Sequence, residues 1–220
     1  MITRKFVDAL LLSLAALALV LTLWFYVTDP GYFSASFAAE DGPVEYATAF
    51  FLLVASGVLA CRAVSLRRGG RPYLVVLMTI YALMFFVASG EEVSWGQRIF
   101  DWETGEFFAE HNTQDETNLH NLAIGEVRLA KTLFGGFLTL MILLYLVALP
   151  LLHRRSARIA RLADRLVVPV PGWRHAVMAI LASIVIGAID IQRQWEVYEL
   201  VFSLLAVSIF VSPRNDASLR

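Results

Sequence analysis

Charge is scarce in this chain. Only 17% of its 220 residues are Asp, Glu, Lys or Arg, against 58% that are apolar, where globular domains average about 25% and 45–50%. That balance excludes a water-soluble domain, and it excludes disordered or collagen-like chains, which need polar or strictly repeating sequence. Cysteine is scarcer still. Cys61 stands alone, so no intrachain disulfide can form and the residue reads as packing. The sharp catalytic signatures are missing as well: there is no His-Glu-x-x-His, no Walker loop and no Gly-x-Ser-x-Gly. Alternation is absent from runs such as Leu10-Leu11-Leu12-Ser13-Leu14-Ala15-Ala16-Leu17, which removes a membrane barrel.

Present instead are long apolar runs. A helix needs roughly 20 such residues to cross about 30 Å of hydrocarbon, and six runs qualify, at 6–27, 44–64, 72–90, 132–152, 173–189 and 195–211. The first exceeds the roughly 7–15 residues of a signal-peptide core and is read as a span. The expected architecture is all-α: a polytopic membrane protein of six transmembrane helices in one bundle, a single domain over 1–220, with a long outer-side loop at 91–131. Lys and Arg divide 14 against 4 between alternate loops, while only Asp8, Asp164 and Asp216 of the 19 acids fall on the basic side. Basic short loops stay in the cytoplasm, so both termini are expected there. The stretch Arg154 to Arg165 fits a nucleic-acid or anionic-lipid patch, but reads first as a stop signal solvated by cytoplasm and headgroups, and no nucleic-acid partner is expected.

Several runs reach across only by taking acids with them. The charge-free parts of the last two, 176–189 and 200–213, have 14 residues each, a rise of only about 21 Å. Asp190 is therefore expected in the outer turn of the fifth helix, Glu196 and Glu199 in the sixth, and Glu45 in the second. An ionised group near mid-membrane costs roughly 2.5–3.5 kcal/mol, so such residues face protein or water. Gln192, Glu196, Glu199 and Ser203, spaced i, i+4, i+7, i+11, share one helical face, expected to point inward or at another subunit. Glu91 and Glu92 end the third helix, where carboxylates oppose the macrodipole. Arg98, seven residues past Glu91, would share its face if the helix continued. In the loop, Thr117 or Asn118 is expected to cap a short helix from Leu119.

Four acidic clusters thus fall on one side: Glu40/Asp41/Glu45, Glu91/Glu92 with Gln97/Arg98, Asp115/Glu116 with His120/Asn121, and Asp190/Gln192/Gln194/Glu196/Glu199. Carboxylates, amides and imidazole together suit a divalent cation, zinc or manganese with mixed ligands and calcium or magnesium with oxygen alone. Glu45, Glu92 and His120 are the expected metal ligands. Glu92 is also the expected base and Arg98 an anion clamp. Glu91, Gln97, Asn121, Asp190, Gln194, Glu196 and Glu199 are expected ligand-binding groups. The Glu-Glu-x-x-x-Arg spacing of CAAX-type membrane proteases is not met, since Arg98 follows Glu92 by six positions.

The segments Glu40-Asp41-Gly42 leading to Glu45, Gly90-Glu91-Glu92-Val93-Ser94-Trp95-Gly96-Gln97-Arg98, and Glu116-Thr117-Asn118-Leu119-His120-Asn121 resemble those of a family of uncharacterised bacterial multi-pass membrane proteins. The resemblance covers about residues 40–122 and implies a bacterial inner-membrane location, without an activity or a ligand set. Three functions fit the residues. The leading one is a metal-assisted hydrolase or transferase acting on a lipid or lipid-linked substrate. The others are a cation- or proton-coupled binding or transport module, and an accessory subunit, homo-oligomeric or joined to a membrane partner.

Overall fold

A computed structural model describes residues 3–69, 72–112, 115–119, 121–124, 127–128 and 137–219. They form helices α1 (Arg4–Thr28), α2 (Pro43–Leu66), α3 (Pro72–Glu92), α4 (Glu106–His111), α5 (Leu138–Arg155), α6 (Ala157–Arg165), α7 (Trp173–Ala188) and α8 (Gln194–Val211). The strands among the described residues are the two-residue pair Ala123–Ile124 and Val127–Arg128, antiparallel to each other. Five helices, α1, α2, α3, α5 and α8, are long and apolar enough to cross a membrane, whereas α7 is a shorter apolar helix of 16 residues. Part of the expected fourth span, 132–136, lies outside the described residues.

The helix ends follow local chemistry. Thr3 caps α1 by accepting from the Phe6 N–H at 3.3 Å. Pro43 opens α2 at a position where its missing N–H costs nothing. In α5, Pro150 cannot donate to the helical ladder, and the turn before it widens to π-type over Leu144–Ala148. The fifth expected span ends earlier than the sequence suggests. α7 stops at Ala188, Ile189 is extended, and Asp190 is exposed outside the helix. The chain turns back through Arg193, whose φ is 66°, so the link to α8 is made without lengthening α7.

α8 is the axis of the bundle, packed against α1, α2 and α7, with 12 of its 18 residues buried. Lipid tails are as apolar as leucine, so close packing and interhelical hydrogen bonds hold such an assembly together. Small residues supply the closeness: Ala15 and Ala18 on α1, Ala55 and Ala63 on α2, and Ala179 and Ala182 on α7 are all buried. The α2–α3 pair is stitched by Ser56 donating to the Ala82 carbonyl at 2.8 Å and Ser89 donating to the Ala49 carbonyl at 2.7 Å.

The arginine-rich end is closed by polar locks. Arg62 donates to the Phe210 carbonyl at 2.8 Å and the Val211 carbonyl at 3.3 Å, satisfying the open carbonyls at the C-terminus of α8. Arg62 also pairs with Asp216 at 2.8 Å, and Asp216 pairs with Arg4 at 2.9 Å, so the two ends of the described chain meet. Deeper in, Asp8, His175 and Ser208, each at most 1% exposed, join α1, α7 and α8. His175 Nδ1 accepts from the Gly172 N–H, which leaves the ring proton on Nε2, 3.0 Å from Ser208 Oγ and 3.2 Å from Asp8 Oδ1. Arg174 pairs with the other oxygen of Asp8.

Candidate functional site

The opposite end of the bundle is built by three chain reversals. At the first, Asp41 has φ 53°, and a Cβ on Gly42 would lie 2.5 Å from the Ala39 carbonyl oxygen, so only glycine fits. Glu45, in the first turn of α2, reaches back past the N-cap Gly42 to accept from the Asp41 N–H. At the second, Ser94, Trp95 and Gly96 are all left-handed, with φ 46°, 56° and 80°. The indole of Trp95 folds back over Gly90, where a Cβ would meet the ring at 2.8 Å, and its Nε1–H donates to Glu91 at 2.9 Å. The third is the Arg193 turn. Arg98 therefore does not continue the face of Glu91; the helix ends at Glu92, and Arg98 turns toward Asp41 and Glu116, each at 2.6 Å.

Glu116 and Asn118, 5% and 3% exposed, are the buried heart of the loop. Ser94 donates to Glu116 at 3.0 Å, Asn118 donates to Glu116 at 2.7 Å and to Ser94 at 2.9 Å, and Asn121 donates to Glu116 at 3.2 Å. Gln97 staples the loop from the other side, donating to Thr104 and to the Asp115 carbonyl and accepting from the Thr117 N–H at 2.8 Å. The expected helix from Leu119 is absent among the described residues. The Asn118 side chain closes a turn by accepting from the Asn121 N–H at 3.0 Å, and the Leu119 N–H goes to Glu91 at 2.5 Å.

These reversals enclose a cavity of about 80 Å³ lined by Glu40, Glu45, Glu91, Glu92, Asn118, Asn121, Arg193, Glu196 and Glu199. α8 contributes Glu196 and Glu199, neighbours at i, i+3 on the face turned into the bundle. Gln192 precedes α8 and is exposed, so it leaves that stripe, whereas Ser203 continues it, buried. Arg193 pairs with Glu40 at 2.7 Å. The carboxylates of Glu92, Glu196 and Glu199 make no hydrogen bond or ion pair among the described residues.

Of the residues singled out from sequence, the structure brings Glu45, Glu91, Glu92, Asn121, Glu196 and Glu199 to this cavity. Arg98, Gln97, Asp190 and Gln194 do not line it. Arg98 is held between two carboxylates and Gln97 serves the loop. Gln194 accepts from the Ile191 N–H at 3.0 Å and shapes the entry to α8. His120 lies outside the described residues. Among the described residues, no three His, Cys, Asp or Glu side chains are placed to hold a metal ion. Sequence reasoning gave Arg193 and Asn118 no place in the site. The signal for Arg193 was its being the lone cation between two acid-bearing segments.

Outside the spans, electrostatics bear on the rim. Burial pushes the Asp41 carboxyl above its ordinary value, and Arg98 opposes this without cancelling it because Glu116 and Glu40 add to the push. Burial disfavours the charge on Arg98, but the hydrogen bond to Glu116 and the nearby acids hold the guanidinium above its ordinary value. Arg193 is raised by its hydrogen bond to Glu40, against burial.

Comparison with known proteins finds no matching family model, no similar curated protein and no similar solved structure.

Proposed function

We propose that this chain is a membrane-embedded binding module whose acidic cavity takes up a small hard cation, with protons as the competing occupants. The supporting observation is the cavity itself: six glutamates and one arginine share about 80 Å³ at the ends of membrane-length helices, with three of the carboxylates unpaired. Unpaired carboxylates in such a place need positive charge from outside the chain. The lining is rich in carboxylate oxygen, with Arg193 on one side, and no three acids among the described residues converge on a bare ion, so it suits a proton or a hard cation that keeps its water. Room for a few waters is far below the roughly 300–1,000 Å³ that receives a sizeable organic ligand.

The leading sequence expectation, a metal-assisted hydrolase or transferase on a lipid-linked substrate, has less behind it. Its anion clamp, Arg98, is engaged by Asp41 and Glu116 and stands away from the cavity. The accessory-subunit reading needs a polar stripe turned to a partner, whereas Glu196, Glu199 and Ser203 face the chain's own bundle.

In this proposal the chain crosses the membrane six times, α7 included. The Arg4–Asp216 pair supports an even number of crossings, because two residues in contact are expected on the same side of a membrane. The arginine-rich side is cytoplasmic by the distribution of charge, and the bacterial inner membrane is the location implied by the resemblance of the three acidic motifs.

The test is a titration of the purified protein in nanodiscs with Na⁺, K⁺, Mg²⁺ or Ca²⁺ chloride against an organic-cation chloride, following melting temperature and released protons together. At least one ion should stabilise saturably and expel protons. Glu92→Gln and Glu199→Gln should each weaken it by about 10- to 100-fold, the cost of one charged contact. Glu103→Gln and Glu106→Gln, at exposed positions, should leave it unchanged. Indifference to every ion, with no proton exchange that distinguishes Glu92→Gln or Glu199→Gln from the native chain, would refute the proposal.

A further inference from the structure

At the other end of the molecule, α6 leaves the last turn of α5 through Ser156, whose extended backbone breaks the helix and whose hydroxyl caps the new one by accepting from the Ile159 N–H. One side of α6 is fixed. Ala163 is buried, Asp164 accepts from Asn215 at 3.0 Å and from Ser218 at 2.7 Å, and the carbonyl of Leu166, next after the helix, accepts from Tyr81 at 3.1 Å. The opposite side therefore has a set direction. It carries Arg158, Arg161, Leu162 and Arg165 at i, i+3, i+4, i+7, all exposed. Arg154 and Arg155 are exposed in the turn before it, and none of these five arginines makes an ion pair among the described residues.

We propose that this face of α6 binds the phosphate groups of anionic lipids in the leaflet at the arginine-rich side. A guanidinium fork matches two phosphate oxygens. Three forks along one face present a row of such sites, and Leu162 between them sits where an interfacial helix meets acyl chains. The helix starts where a membrane-length helix ends, so headgroups are the anions within its reach. Charge complementarity thus commits the face to lipid, independently of the acidic cavity at the far end.

The experiment follows the melting temperature of the detergent-purified full chain against short-chain phosphatidylglycerol, against phosphatidylcholine of the same chain length, and against inorganic phosphate. Phosphatidylglycerol should stabilise saturably at low salt and lose much of its effect at 1 M salt, where charges are screened within about 3 Å. R158Q/R161Q/R165Q should weaken its apparent affinity by roughly 100-fold, the combined worth of three surface cations. R158K/R161K/R165K, which keeps the charge and loses the fork, should fall between the native chain and the glutamine variant, and Arg214→Gln should keep all of the affinity. Native mass spectrometry of co-purified lipid should show anionic lipid retained by the native chain and depleted from the glutamine variant. Equal stabilisation by phosphatidylcholine, equal stabilisation by inorganic phosphate, or anionic lipid retained undiminished by the glutamine variant would each overturn the assignment.

Discussion

Gly90 shows how much one side chain's absence decides. With hydrogen in place of Cβ, the indole of Trp95 lies on the last turn of α3 and reaches Glu91. Gly90→Ala forces the ring away, since the added carbon would sit 2.8 Å from it. A loss of about 1–3 kcal/mol, typical of overpacking, is expected in melting experiments, with a red shift of tryptophan emission as the indole moves into water. Asp41 makes a different kind of prediction. Its folded-state pKa is raised above the ordinary 3.8, so the folded state holds the proton more tightly than the unfolded one. Stability from this group is therefore fully present below 3.8 and falls as pH rises through the elevated value, then levels off. Asp41→Asn removes that slope. Melting temperatures measured across this range should shift in the variant's favour as pH increases, and parallel curves would rule the linkage out. Asp8 is the third case: Asp8→Ala removes the partner of Arg174 and of the Ser208 hydroxyl, and leaves His175 Nε2–H with Ser208 Oγ alone, beside a new gap. A fully buried pair broken this way costs about 3–5 kcal/mol. Arg174 is 47% exposed, so about 2–3 kcal/mol is the expected loss in denaturation of the detergent-solubilised protein.

At the scale of elements, α8 and the loop after α3 divide the work. α8 brings two carboxylates to the cavity because its i, i+3 spacing and its central position leave them no other direction. That face was legible from spacing alone, and so was the place of Glu45 in the first turn of α2. The loop was not legible. Periodicity predicts helices, and nothing periodic announces that Ser94, Trp95 and Gly96 turn left-handed together or that Asn118 caps a turn instead of a helix. Gln97 makes three hydrogen bonds across 20 residues of chain. Gln97→Ala should loosen that segment before it lowers global stability. Limited proteolysis within residues 101–119 should speed up at least about fivefold for a local loss near 1 kcal/mol, while the melting temperature changes little.

At the scale of the whole molecule, segregated charge and helix length set the polarity of the bundle. One end is locked by Arg62, Arg4 and Asp216, and the other holds carboxylates in excess of its arginines. Cysteine-accessibility labelling from the two sides of sealed vesicles is the corresponding measurement, with Cys61 replaced by alanine and single cysteines placed at Ser34, Glu103 and Ala217. Ala217 should label from one side, and Ser34 and Glu103 from the other. Ala217 labelling together with Glu103 would mean an even number of crossings between them, against the three that α5, α7 and α8 make in the proposed topology.

Composition and hydropathy settled the all-helical class and the two-sided distribution of charge, because both are sums over neighbouring residues and need no knowledge of what lies far along the chain. Rise per residue likewise put Glu45, Glu196 and Glu199 within their helices, but it put Asp190 in one too, and there it failed. Which of them share a hollow was decided only in three dimensions. Asp190 falls outside because α7 ends two residues earlier. Arg98 leaves Glu91 for Asp41 and Glu116 because the chain reverses at Ser94–Gly96, and Arg193 enters because a left-handed turn aims it at Glu40. Each outcome depends on a backbone reversal and a partner dozens of residues away, and such contacts are set by packing between helices, not by the pattern within one.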